Sequence, residues 1–271
     1  MSETTLMNSH LKIAIKAALL AGKEILNVYA RDFDVILKAD NSPLTEADQA
    51  ANKVIVALLE QTLIPIISEE NKQLPYDIRK NWNQCWIVDP LDGTKEFIKK
   101  NDEFTVNIAL VENGIPALGV ILVPATKELY FAIVSEGKAF KMKLDDLNQA
   151  VESILAKATS ISPQKDLSYL RLVGSRSHMN DETMHFLEHL KKSAPKELKI
   201  VSKGSSLKLC LIAEGAADVY PRFAPTMEWD TAAGHAICNA AGVKVIDIHT
   251  GNEMRYNKEN LLNNYFIASN D

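Results

Sequence analysis

The stretch Trp86–Phe97, WIVDPLDGTKEF, decides the reading of this chain: an apolar run stops at Asp89 and Asp92, with Pro90 between them and Gly93 and Thr94 directly behind. Proline has no backbone N–H and fixes φ, and glycine permits a tight backbone approach. A strand running into such a turn leaves its direction sharply and holds two carboxylates together. If a helix begins just after Gly93, its unpaired N–H groups aim at the same point and form an anion cradle. Hard oxygen ligands beside an anion cradle suit a phosphate ester held through magnesium. Taken alone, D-P-x-D-G is also ordinary turn vocabulary.

Three further stretches bear on that choice. In ISEEN, Glu69 and Glu70 end the apolar run IPIIS; they read either as a solvated strand end or, if that strand lies beside CWIV, as delivering Glu69 to the sheet edge that carries Asp89. In EWDTAAGHAI, Asp230 opens a small-residue helix, where it either caps the helix or brings a ligand from the distant half of the chain. In KADNSPLTEAD, which contains Lys38, the spacing of Thr45 and Asp48 matches a capping box, and Asp48 could instead accept a hydrogen bond from a catalytic hydroxyl.

Around these motifs the chain divides by texture. Three- and four-residue recurrence of apolar residues from Ser9 to Tyr29 predicts an amphipathic helix with Ser9 as N-cap, and TEADQAANKVIVALLEQT predicts a second. FDVILKAD reads as a strand into a turn. The β-branched and aromatic run from Phe104 to Phe140, with turns at ENG and SEG, predicts an antiparallel meander. DDLNQAVESILAKATSISPQKD reads as polar connecting material, which places a domain boundary near residue 155, between residues 1–155 and residues 156–271. Beyond it, helical patterns (DETMHFLEHLKK, SSLKLCLIAEG, TAAGHAICNAAG) alternate with strand patterns (KELKIVSK, AADVYPRF, VKVIDIH), as in a layered α/β arrangement.

Composition excludes several classes. The chain has 271 residues, 46% of them hydrophobic and 24% charged, which fits a folded protein with a sizeable core. A net charge of -5 argues against general nucleic-acid binding, which relies on a basic face. No apolar run is long enough to span a bilayer, and no secretory leader pattern is present. Cys85, Cys210 and Cys238 show no C-x-x-C spacing and read as core thiols in a reducing cytoplasm. His185 and His189 share a helix face, but without a third ligand they do not make a zinc site.

Through WIVDPLDGT and WDTAAG the chain resembles the inositol monophosphatase superfamily of lithium-sensitive, magnesium-dependent phosphatases. KADNSPLTEAD, DPLDGTKEF, KGSSLKLCLIAEGAADVYPRF and EWDTAAGHA narrow the likeness to its 3′(2′),5′-bisphosphate nucleotidase branch, and the lysine and glutamate after DGT depart from the DGTxNF of inositol monophosphatases. The resemblance implies a layered α/β/α/β/α sandwich and about two or three magnesium ions per site. It makes Glu69, Asp89 and the Leu91 carbonyl ligands of the first ion, and Asp89, Asp92 and Asp230 ligands of the second. It assigns water activation to the first ion, Glu69 and the Thr94 hydroxyl, with Asp48 orienting that hydroxyl. The substrate would meet Asp92, Gly93, Thr94 and Asp230, and its second phosphate Ser205, Ser206, Lys208 and Arg222.

The function so implied is hydrolysis of the 3′-phosphate of 3′-phosphoadenosine 5′-phosphate, with its sulfate-bearing relative as a second candidate substrate. The alternatives are an inositol or sugar phosphate phosphatase, and a non-catalytic phosphate- or metal-binding protein on the same scaffold. A small nucleotide is the expected partner, in the cytoplasm, with attachment to the inner face of the membrane left open.

Overall fold

The computed structural model describes residues 3–37, 43–164, 166, 168–174, 180–193 and 196–270. Lys38 and the first part of the DNSPLT turn lie outside these residues. The first half holds α1 (Glu3–Tyr29), β1 (Val35–Leu37), β2 (Pro43–Thr45), α2 (Glu46–Leu59), β3 (Ile66–Ser68), α3 (Tyr76–Arg79), β4 (Gln84–Asp92) and α4 (Thr94–Ile98). The meander follows as β5 (Thr105–Glu112), β6 (Ile115–Val123), β7 (Glu128–Ile133) and β8 (Lys138–Lys143), then α5 (Val151–Lys157) and β9 (Thr159–Ile161). The remainder is β10 (Tyr169–Val173), α6 (Asp181–Ser193), β11 (Glu197–Val201), α7 (Leu207–Ala213), β12 (Val219–Arg222), α8 (Glu228–Ala240), β13 (Lys244–Asp247) and β14 (Phe266–Ser269).

Two sheets organise these elements: seven strands in the order β3-β4-β5-β6-β7-β8-β9 and five in the order β11-β10-β12-β14-β13. Strand alternation sorts their side chains into separate cores. Trp86, Val88, Val106, Ile108, Leu118, Val120 and Phe131 pack with α1 and α2 on one face of the larger sheet. Ile87, Ala109, Ile121 and Tyr130 face the other way, onto α7 and α8, whose far side meets Tyr220, Val245, Phe266 and Ala268 of the smaller sheet. Leu172, Val219 and Ile267 turn outward from that sheet against Phe186, Leu187 and Leu190 of α6. The layers therefore run α/β/α/β/α, the expected sandwich.

Several local expectations are corrected. The first helix begins at Glu3, so Ser9 is an exposed interior residue and not an N-cap. The segment read as connecting material contains α5 and β9, which closes the edge of the larger sheet against β8. Asp230 is the third residue of α8 rather than the residue before it, because the helix starts at Glu228. The strand also does not end at Asp89: β4 continues through Pro90 to Asp92.

That continuation decides the site. In a regular strand, residues three apart point to opposite faces. Asp89 pairs with Asn107 and Asp92 with Thr105, so three steps on β4 oppose two on β5, a bulge of one residue. The bulge cancels the alternation and turns both aspartates to the face that looks at α8. It also accommodates Pro90, which has no N–H for a central strand to use.

Candidate active site

Glu69 reaches the same place by register. β3 runs parallel to β4 with Ile67 beside Ile87, and the Glu69 N–H donates to the Val88 carbonyl at 3.1 Å. Two residues beyond Ile67 and Ile87, Glu69 and Asp89 therefore share a face. α8 approaches from the opposite layer with Asp230 in its first turn, fixed by the Met227 N–H donating to Asp230 Oδ2 at 2.8 Å. Asp89, Asp92 and Asp230 can each offer an oxygen within 4.8 Å of the others.

Asp92 is gripped on one side only. Its Oδ2 accepts from Ser205 Oγ at 2.7 Å, the Ser206 N–H at 2.6 Å and Ser206 Oγ at 2.8 Å. Thr105 and Asn107 stand 3.5 Å from the same oxygen, and Thr105 Oγ1 lies 2.7 Å from Ser205 Oγ. Ser206 Oγ also lies 2.6 Å from the Asp230 carbonyl, so it bridges the two aspartates.

The phosphate side of the site is the turn after Asp92. Gly93 has φ +90, open to glycine, and a Cβ there would stand 3.3 Å from the Glu103 carbonyl and from Ser205 Cβ. It is the N-cap of α4 and gives no side-chain hydrogen bond to the first N–H groups of that turn. The Thr94 hydroxyl stands 3.3 Å from Asp48 Oδ1 and 3.4 Å from the Leu91 carbonyl. Asp48 Oδ2 meanwhile accepts the Thr45 N–H and hydroxyl, each at 2.7 Å. Asp48 thus completes the capping box with one oxygen and stands within hydrogen-bond reach of the Thr94 hydroxyl with the other.

Electrostatics favour a cation here. Asp89, 1% exposed, has its pKa pushed well up by burial and then by Glu69, Asp92 and Asp230. Burial and Asp92 push Asp230 up to about 8, opposed by the Met227 N–H and Arg222. Among the described residues, no lysine or arginine forms an ion pair with Asp89, Asp92 or Asp230. Oxygens bound about 2–2.6 Å from one hard cation stand up to about 5 Å apart. Spacing and uncompensated charge both fit such an ion.

Residues 6–271 match the inositol monophosphatase family. The chain belongs to the inositol monophosphatase family. The 3′(2′),5′-bisphosphate nucleotidase CysQ of Salmonella typhimurium is 46% identical over 84% of this chain and 86% of that protein. The protein of the same name from Escherichia coli K12 is 44% identical over 92% of this chain and 95% of its own length. Among solved structures, CysQ from Bacteroides thetaiotaomicron, a bacterial member of the inositol monophosphatase family, superposes with a TM-score of 0.85 at 50% identity, covering 96% and 97% of the two chains. The Thermotoga maritima inositol monophosphatase gives 0.72 at 26% identity, over 97% and 92%.

In this family member the expected substrate contacts fall into two groups. Ser205 and Ser206 have their hydroxyls on Asp92. Lys208 Nζ donates to the Ser205 carbonyl at 2.9 Å, and Arg222 donates to the Pro225 carbonyl at 3.1 Å while its buried Nε has no partner among the described residues. The sequence reading missed Thr105, Asn107 and Glu103. A signal for the first two was present: polar residues at alternate positions of a strand buried at every residue but its last, both within reach of Asp92.

Proposed function

We propose that this protein hydrolyses the 3′-phosphate of 3′-phosphoadenosine 5′-phosphate to AMP and phosphate, and treats the sulfate-bearing relative of that nucleotide in the same way. The observation that carries the reading is the 44–46% identity to bisphosphate nucleotidases over 84–92% of the chain, against 26% to the Thermotoga inositol monophosphatase. The departure of TKEF from the inositol monophosphatase pattern points the same way.

In the reaction a water oxygen bonds to phosphorus, the bond from phosphorus to the ribose 3′-oxygen breaks, and the leaving oxygen gains a proton. Magnesium, held by Glu69, Asp89, Asp92, Asp230 and the Leu91 carbonyl, would supply positive charge to the phosphoryl oxygens and to the attacking and leaving oxygens. Gly93 and Thr94 amides hold the phosphoryl group at the start of α4. Glu69 and the Thr94 hydroxyl orient the water and draw its proton, and Asp48 fixes that hydroxyl. Lys208 and Arg222 take the second phosphate. What supports this role for Arg222 is that its positive charge opposes the upward shift of Asp230, as expected of a cation within electrostatic range of the acidic cluster. Asp230 comes from residues 156–271 and the other four named ligands from residues 1–155, so the site would close between the two halves.

Arg222→Ala is expected to raise KM for the bisphosphate nucleotide about tenfold or more, with a smaller effect on a ligand bearing one phosphate. An unchanged KM would remove Arg222 from the substrate site.

A further inference from the structure

The donors gathered on Asp92 come from a segment that another carboxylate holds down. Residues 203–206 join β11 to α7 in the second half of the chain. Glu103, just before β5 in the first half, accepts from the Gly204 N–H at 2.7 Å through Oε2 and from Lys203 Nζ at 2.9 Å through Oε1. The next two residues donate to Asp92 Oδ2 from the Ser205 hydroxyl and the Ser206 N–H, with the Ser206 hydroxyl also within 2.8 Å, and Ser205 does so at φ +55, uncommon for a residue with a side chain.

An oxygen accepting from both the Ser205 hydroxyl and the Ser206 N–H has its two lone pairs occupied. Asp92 Oδ1 accepts no hydrogen bond from the described residues, so the protein commits Oδ2 and leaves Oδ1 available to a ligand. The serine hydroxyls are committed too: Ser205 to Asp92, and Ser206 to Asp92 or the Asp230 carbonyl. Their geometry serves the ligand residue directly.

We propose that Glu103 is a positioning residue for the cation site: by latching residues 203–206 across the two halves, it keeps Ser205 and Ser206 on Asp92 Oδ2 and so orients Oδ1 toward the divalent cation. The proposal rests on the reading of Asp89, Asp92 and Asp230 as that site. Groups that orient a ligand in this way typically change metal affinity by about 10–100-fold when removed.

The test is calorimetric titration of the full-length protein with Mn2+ and with Mg2+, without nucleotide, followed by kinetics across cation concentration. Glu103→Ala is expected to bind either ion about tenfold more weakly, and Glu103→Gln less so, since its amide oxygen still accepts from the Gly204 N–H. At saturating cation kcat should recover, with KM for the nucleotide unchanged. Cation affinity equal to wild type in Glu103→Ala, or a defect seen only as a raised KM at saturating cation, overturns the latch. If Glu103→Ala does not fold, Glu103→Gln and Lys203→Met replace it: weaker binding in Glu103→Gln supports the latch and wild-type affinity in both refutes it. A wild-type protein that binds neither ion refutes the cation-site reading itself, a failure distinct from that of the latch.

Discussion

A carboxyl group with 1% of its surface exposed and three acidic neighbours is costly to keep ionised, and Asp89 is such a group. Its cost in the metal-free protein and its value with a cation bound are two sides of one charge. Asp89→Asn removes the repulsion while keeping the shape, so the metal-free variant should melt no lower than wild type. Its kcat/KM should fall by about 100-fold or more, and magnesium should no longer raise its melting temperature. Thermal melts with and without magnesium, alongside phosphate release, check both halves; retained metal-dependent turnover would count against Asp89 as the central ligand.

His235 offers a separate test at this scale. It is fully buried in α8, its Nδ1 3.1 Å from Tyr256 Oη, and burial lowers its pKa from 6.5 to about 3. Between those values the unfolded chain binds a proton there and the folded one does not, so stability falls as pH drops below about 6.5, by about 1.4 kcal/mol per unit. His235→Leu should flatten the acid side of the stability profile by about that slope. Urea midpoints from pH 7 to 4.5 that decline in parallel for variant and wild type would contradict this account.

At the scale of elements, α8 and the larger sheet fit only because Gly119 lets them touch. A Cβ on Gly119 of β6 would stand 2.3 Å from the Ala233 carbonyl and 2.9 Å from Ala236 Cβ, in a contact made of backbone and methyl groups that cannot rotate away. Gly119→Ala should destabilise by about 1–3 kcal/mol or more. Because α8 carries Asp230, the same variant should also bind magnesium more weakly. Unchanged melting and unchanged binding would mean that the two layers adjust more freely than their packing suggests.

Much at this scale was legible in the sequence, and the exceptions have physical causes. The meander, α2 with its capping box, α7 and α8 announce themselves through period and caps. β10 does not, because Arg171 interrupts its apolar pattern; the structure shows why it is tolerated, with Arg171 Nη2 2.7 Å from Asp218 Oδ1 and Nε 3.1 Å from Oδ2. Asp89, Asp92 and Asp230 offer oxygens within 4.8 Å of one another, and the Thr94 hydroxyl stands 3.3 Å from Asp48. What WIVDPLDGTKEF conceals is the bulge that puts both aspartates on one face, since it depends on which residues of β5 stand opposite. The grip of Glu103, Ser205 and Ser206 on Asp92 is hidden for a related reason: its partners lie about a hundred positions apart in the chain.

For the whole molecule, the acidic cluster stands at a joint, and a cation proposed there would act across it. Glu69, Asp89 and Asp92 stand on the larger sheet, Asp230 on a helix between the sheets, and Ser205 and Ser206 on the connection leading into α7. A cation bound there ties all of these together, as the latch at Glu103 does from outside. The reading of what this joint works on rests on identity spread over nearly the whole chain. The most direct test is phosphate release with magnesium from 3′-phosphoadenosine 5′-phosphate and from inositol 1-phosphate, compared as kcat/KM on the same preparation. The account predicts a preference for the nucleotide by at least about 100-fold, equivalent to about 2.7 kcal/mol of transition-state binding; an equal or greater rate on inositol 1-phosphate would contradict it.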